Sequence, residues 1–85
     1  MNQQHGVHRF WTTPPVMSRE GGFTAIHLYR ETDHPVVGKF YGIVAEVVYW
    51  DAVGQYCLQT FDRHGVTLEI IELLIAEAKE LIKYK

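Results

Sequence analysis

The stretch that decides the fold is FYGIVAEVVYW, residues 40–50. In an extended strand, alternate side chains point to opposite faces. One face of this stretch begins with Phe40 and ends with Trp50, the other begins with Tyr41 and ends with Tyr49, and both are mostly apolar. A strand with one solvent-exposed face and one buried face alternates polar with apolar residues. The pattern therefore predicts a strand with two buried faces.

The C-terminal sequence predicts one amphipathic helix, over residues 68–84. Thr67 precedes it as an N-cap residue, and acidic side chains begin it while lysines end it, as the helix dipole favours. Its apolar stripe consists of Leu68, Ile71, Leu74, Ile75, Ala78, Leu81 and Ile82. Ile70 and Leu73 widen this stripe, so the helix is apolar over more of its circumference than one sheet face would cover.

Four strands are predicted, at residues 7–11, 23–31, 36–50 and 55–61. Turn sequences lie between them at residues 19–22, 32–35 and 51–54. Gly54 suits a left-handed position in the last of these turns. Four strands followed by one helix predict an α+β fold, an antiparallel four-stranded β-meander packed on one C-terminal α-helix.

The chain has 85 residues, predicted as a disordered N-terminal tail (residues 1–6) and a single α+β domain (residues 7–85). A domain of this size buries only about 60–65% of its unfolded surface, so disulfides, a metal or oligomerisation commonly support it. A single cysteine, Cys57, excludes an internal disulfide, and no Cys/His cluster has zinc-ligand spacing. We therefore expect the chain to form a homodimer or a higher oligomer.

The charge balance argues against a nucleic-acid partner. The formal net charge is −2 at pH 7, whereas nucleic-acid binding depends on clustered Lys and Arg. Lys79, Lys83 and Lys85 are explained by their position at the end of a helix. No apolar run approaches the ~20 residues that span a bilayer, and residues 1–5 do not resemble a signal peptide. We expect a cytoplasmic protein that binds neither nucleic acid nor membrane and needs no cofactor or metal.

If a four-residue loop closes each hairpin, directly opposed residues share a face of the sheet. The face expected to receive the helix consists of Ile26, Leu28, Tyr41, Ile43, Ala45, Val47, Tyr56 and Leu58. The opposite, aromatic face is expected to consist of Phe23, His27, Tyr29, Phe40, Val44, Glu46, Val48, Trp50, Cys57, Gln59 and Phe61. Such a mixture of aromatic, apolar and polar side chains is typical of interfaces and ligand pockets.

Glu46 is a carboxylate within an otherwise apolar run. Because an unpaired buried charge is costly, Glu46 must reach water, be paired or be protonated. We expect Gln59 opposite Glu46, and His27 on the same face. One interpretation makes Glu46 an acid/base or a ligand anchor, with His27 or Tyr29 assisting. The other makes it a structural carboxylate that is hydrogen-bonded or solvated.

The sequence offers weaker evidence for any other catalytic or metal-binding residue. Cys57 either forms a nucleophile pair with His27 or serves as a small buried apolar residue. His5 and His8 are three residues apart, but the sequence fixes no third metal ligand beside them. No GxSxG, HExxH, Walker-type or GxGxxG pattern is present. The sequence therefore assigns no catalytic residue.

The segment Gly54-Gln55-Tyr56-Cys57-Leu58, the loop at residues 62–65 and the helix capped by Thr67 resemble the end of HicB-type antitoxins. That family has a small meander whose last strand leads by a short loop into a Thr-capped amphipathic helix. The resemblance covers about a third of the chain, and the Pro-Gly pair usual in the family's loop is absent. It implies a module that masks a partner protein.

These observations favour a homodimer, or a dimer of dimers, formed through the aromatic face and the flank of the helix. The expected function is binding of another protein or of a small, mainly apolar molecule. The expected ligand-binding residues are Glu46, His27, Trp50, Phe40, Tyr29, Gln59 and Cys57. The alternatives are a small enzyme that uses Glu46 with His27 as acid/base, and a HicB-like antitoxin module.

Overall fold

The structure, a computed structural model, describes residues 1–18, 20–62 and 65–82. These residues form a six-stranded antiparallel sheet and one C-terminal helix, which confirms the predicted α+β class. The elements are β1 (Asn2–His5), β2 (His8–Thr12), β3 (Val16–Ser18), β4 (Phe23–His34), β5 (Gly38–Trp50), β6 (Gln55–Thr60) and α1 (Leu68–Leu81). The predictions that involve Arg19, Arg63, His64, Lys83, Tyr84 and Lys85 lie outside the described residues.

The sheet has two strands beyond the predicted four-stranded meander. Its order is β1-β2-β4-β5-β6, and β3 pairs with β4 on the same side as β2. Pro14 and Pro15 lie between β2 and β3. Because proline has no backbone N–H to donate to a ladder, this edge of the sheet is interrupted at that point.

Residues 1–6 are predicted to be disordered, whereas the structure places strand β1 within them. Gly6, at φ 61°, allows the tight turn that returns the chain along β2. The amino nitrogen of Met1 lies 2.9 Å from Thr12 Oγ1 and 2.5 Å from Glu77 Oε1 on the helix. The strand is polar because it lies at the edge of the sheet, so it gives no apolar signal in the sequence.

The hairpin between β4 and β5 turns later than the sequence predicts. The expected turn at residues 32–35 is wrong, because β4 continues to His34, which lies opposite Gly38. His34 Nδ1 accepts hydrogen bonds from the backbone N–H groups of Val36 (3.1 Å) and Val37 (3.2 Å). This side-chain closure of a turn resembles that of Asn and Asp. The later turn and an extra residue at Val44 together place His27 directly opposite Glu46.

A β-bulge at Val44 exchanges the two faces along β5. Leu28 lies opposite Ala45, but the next residue of β4, Tyr29, lies opposite Ile43. The extra residue reverses the alternation of side chains beyond it. The placement of Tyr41 and Ile43 beneath the helix is therefore wrong, since both lie on the face of Tyr29. The placement of Phe40 and Val44 on the aromatic face is wrong for the same reason.

The core lies between the sheet and the helix. We call this side of the sheet the helix face; its buried residues are Phe10, Ile26, Leu28, Val44, Ala45, Val47 and Tyr49. The helix contributes Ile70, Ile71, Leu74 and Ala78, followed by Ile82 just beyond its end. Tyr56 Oη donates a hydrogen bond to the carbonyl of Ile82 at 2.6 Å and ties β6 to the end of the helix.

The buried stripe of the helix is rotated from the predicted one. Ile70, expected at the flank, is fully buried, whereas Leu68 and Leu81, expected in the stripe, are exposed. Thr67 precedes the helix as predicted but makes no side-chain cap hydrogen bond.

Within the described residues, no helix is both long enough and apolar enough to cross a membrane.

Candidate functional site

The side of the sheet away from the helix is the candidate site, and we call it the open face. No helix among the described residues packs on it. Strand register places the following large or polar side chains there: Arg9, Trp11, Phe23, His27, Tyr29, Glu31, Tyr41, Ile43, Glu46, Trp50, Cys57 and Gln59.

An aromatic cluster occupies the end of the open face near the β4–β5 turn. Trp11 of β2 stacks on Tyr29 of β4, with ring centroids 5.6 Å apart and planes inclined by 11°. The ring centroid of Tyr41 lies 6.4 Å from that of Trp11. The guanidinium of Arg9, which is on the same strand as Trp11, lies 4.8 Å from the centre of the Trp11 ring. Aromatic pairs and cation–π contacts of this kind provide large, partly polar contact surfaces.

A second aromatic pair occupies the other end of the open face. Phe23 and Trp50 lie directly opposite each other on β4 and β5, with ring centroids 5.1 Å apart. The neighbouring opposed pair, Ala25 and Val48, is buried. Since no described helix covers this side, neighbouring side chains of the open face must shield these two residues.

An acid–base pair lies between the two aromatic groups. His27 Nε2 is 3.1 Å from Glu46 Oε2, and the two side chains remain 25% and 20% exposed. Gln59 lies opposite Glu46 on β6, which confirms the predicted register of the second hairpin. When His27 is protonated the contact is an ion pair, and in either state it offers donors and acceptors to a bound group.

Six of the seven residues predicted to bind a ligand share the open face. They are Glu46, His27, Trp50, Tyr29, Gln59 and Cys57. The seventh, Phe40, lies on the helix face opposite Thr32. Cys57 is exposed, so its interpretation as a small buried residue is wrong.

Sequence reasoning missed the contribution of β2 and of the turn end of β5 to the open face. The predicted meander places the strand at residues 7–11 beside the strand at residues 23–31, but the sequence fixes no register between them, so Arg9 and Trp11 were assigned to neither face. Tyr41 and Ile43 were placed on the wrong face by the bulge. Gly42 could have indicated a β-bulge in this strand, because glycine within a strand often marks one. The extra residue of the bulge is Val44, two positions further along the chain.

Two grooves adjoin strands β5 and β6. One, of about 430 Å³, is lined by Phe40, Gly42 and Phe61 together with Arg30 and Asp62, which form an ion pair. The other, of about 300 Å³, lies between β6 and the helix.

Within the described part of the chain, no group of three His, Cys, Asp or Glu side chains is arranged to hold a metal ion.

Comparisons with protein-family models, with curated proteins and with solved structures find no match to this chain. β6 is followed along the chain by α1, and the resemblance of this segment to HicB-type antitoxins stays a prediction. Masking of a partner protein stays a prediction.

Proposed function

We propose that this chain is a homo-oligomeric binding protein and that two copies pair through their open faces. The observation that carries the proposal is the composition of that face, which has an aromatic group at each end and the His27–Glu46 pair between them. Aromatic side chains and Arg are enriched in protein interfaces. Pairing would cover the side of the sheet that the single helix leaves open.

The size of the open face supports this proposal. The sheet is three or four strands wide along residues 23–32 of β4 and narrows to two strands beside the β4–β5 turn. With strands about 4.8 Å apart and a rise of about 3.3 Å per residue, four strands of ten residues measure roughly 20 by 33 Å, or about 650 Å². Standard interfaces bury about 600–1,000 Å² on each partner. One open face is thus large enough for an interface at the lower end of this range.

The arrangement of the face also suits a two-fold contact. A two-fold axis that crosses the strands near the His27–Glu46 pair would bring the Trp11–Tyr29 stack of one copy against the Phe23–Trp50 pair of the other. Two sheets packed in this way form a layer about 10 Å thick. The His27–Glu46 pairs would then meet at the centre, where charged groups fix the register of the two copies.

Sedimentation of a matched pair of variants tests the proposal. Trp50→Lys places a charge on the open face, whereas Val36→Lys places the same charge at the exposed β4–β5 turn. At about 10 µM, where a micromolar Kd leaves most chains paired, the original chain and Val36→Lys should sediment as dimers or larger species. Trp50→Lys should sediment at a lower mass while its circular dichroism spectrum is retained. A monomeric original chain, or equal masses for both variants, would contradict the proposal.

A second candidate function is the binding, or acid–base conversion, of a small, mainly apolar molecule on the same face. The observation that favours it is that His27 and Glu46 are in contact yet both reach solvent. Glu46→Gln tests this function with Nile red, a neutral apolar dye that carries polar acceptors. Loss of dye binding with unchanged mass and fold would favour a ligand role for Glu46. Unchanged dye binding, or no binding by the original chain, would contradict it.

A further inference from the structure

Strand β5 has a free edge next to the β4–β5 turn. Residues 45–50 lie between β4 and β6, but residues 38–43 pair with β4 alone. The last backbone contact on the other side is the hydrogen bond from Phe61 N to the Val44 carbonyl, at 2.8 Å. Beyond it, no strand in residues 1–18, 20–62 or 65–82 pairs with the outer edge of β5.

This free edge is exposed and apolar. All of residues 39–43 are exposed, with Phe40 at 48%, Tyr41 at 74% and Ile43 at 42%. Such an edge, with unpaired backbone groups and apolar side chains on both faces, is a template for the addition of another strand. The β4–β5 turn on one side and the bulge at Val44 on the other limit the template to these five residues, because the strand begins at Gly38 and a bulge discourages further pairing.

We propose that the occupant of this edge is the same edge of a second copy, paired antiparallel to form one continuous sheet. Directly opposed residues must lie on the same face, so an antiparallel pair related by a two-fold axis must be centred on a residue. Centring on Tyr41, the middle of the exposed segment, pairs Tyr41 with itself and Lys39 with Ile43 of the second copy. This contact goes beyond the proposed pairing of open faces, because it joins the backbone edges of two β5 strands side by side instead of stacking one sheet face on another.

In this register the side chains of the two copies are complementary at Phe40 and Gly42. In the two-fold pairing, Phe40 of each copy lies opposite Gly42 of the other. A Cβ placed on Gly42 would meet no heavy atom within 4 Å, so there is space beside this glycine. An aromatic ring that covers a glycine on the neighbouring strand is a recognised way to stabilise a sheet at a weak position. The segment is therefore complementary to itself, which favours a second copy over an unrelated strand.

Disulfide trapping tests the register directly, with Cys57→Ser as the background. In Tyr41→Cys the two new cysteines would be directly opposed, with Cα atoms about 4.5–5.5 Å apart, within the range that a disulfide bridges. In the control, Lys39→Cys, the two cysteines would be offset by four residues, or about 13 Å, and too far apart to bridge. Both side chains are exposed, so the two variants should fold alike.

Under mild oxidation, Tyr41→Cys should give roughly tenfold more cross-linked dimer than Lys39→Cys. The double variant Lys39→Cys with Ile43→Cys should restore cross-linking, because these positions are opposed in the proposed register. Equal yields from Tyr41→Cys and Lys39→Cys, or no dimer from either, would overturn the proposal.

Two further measurements separate this contact from its alternatives. Adding Trp50→Lys to Tyr41→Cys should leave the cross-link unchanged even if pairing of the open faces is lost or never occurs. Loss of the cross-link in that variant would show that the edge does not pair by itself. Equally efficient cross-linking of Tyr41→Cys to an unrelated Thr/Val peptide with a central cysteine would assign the edge to extended peptides in general and would overturn self-pairing.

Discussion

Adjacent residues of strand β4 differ sharply in what covers them. Ile26 and Leu28 point toward the helix and are fully buried, whereas His27 and Tyr29 point to the open face and keep part of their surface accessible. The sequence gives little sign of this difference, because both faces of the neighbouring strand β5 are largely apolar. An apolar pattern thus shows that a face is suited to burial, but it does not show what buries it.

The length of the helix explains why cover is limited even on the helix face. The 14 residues of α1 extend about 21 Å, whereas the 13 residues of β5 extend about 43 Å. Val44 and the residues after it on the helix face are buried, whereas Phe40 and Gly42, nearer the turn, are exposed. The turn end of the hairpin therefore projects beyond the cover that one helix provides.

The largest expected effect follows from loss of contact between the helix and the helix face. Leu74 is fully buried, so Leu74→Ala should lower the free energy of unfolding by about 3 kcal/mol through lost burial and a residual cavity. Leu81→Ala removes the same atoms from a side chain that is 52% exposed and should cost less than about 1 kcal/mol. Urea unfolding followed by circular dichroism measures both. Equal losses would show that the helix does not pack as described.

A smaller effect is expected for the polar contact at the edge of the helix face. Thr32 is buried, and its Oγ1 lies 2.9 Å from His8 Nδ1. Thr32→Val keeps the shape of the side chain but removes the hydrogen bond, and it should lower the free energy of unfolding by about 1 kcal/mol. The control is Thr60→Val on an exposed position of β6, which should change the stability little. If Thr32→Val left the free energy of unfolding unchanged, the hydrogen bond to His8 would contribute nothing to stability.

The smallest effect on folding is expected for the polar contact of the open face. His27 and Glu46 are both partly exposed, and such ion pairs contribute about 1 kcal/mol or less. Glu46→Gln, made in the Trp50→Lys background to remove the effect of pairing through the open faces, should therefore lower the free energy of unfolding by less than about 1 kcal/mol. The loss should diminish at high salt, which screens the interaction. A loss as large as that of Leu74→Ala would identify Glu46 as a principal structural residue.

Local sequence patterns predicted the second hairpin and the helix well. Gly54 takes the left-handed conformation expected of it, and Glu46 lies opposite Gln59 as expected. The first hairpin was predicted wrongly because two features shift its register, the His34 side chain that closes the turn and the extra residue at Val44. Neither leaves a periodic signal, since each depends on contacts that form only when the strands meet.

The same reasoning applies to the candidate site. Its polar centre was predictable, because a carboxylate in an apolar strand stands out from its neighbours. The stack of Trp11 on Tyr29 was not predictable, because it depends on the register between β2 and β4, and no short hairpin loop between those strands fixes that register. Polar strand β1 was missed because an edge strand needs no apolar face.

The sequence by itself determined the α+β class, the presence of one C-terminal amphipathic helix, and a long strand that is apolar on both sides. These properties follow from the period of side chains along a single segment, which local physics controls. The tertiary structure decided which residues of β5 share a face, which aromatic rings meet and which edge stays unpaired. Those properties depend on strand register, and one extra residue is enough to exchange the faces of everything beyond it.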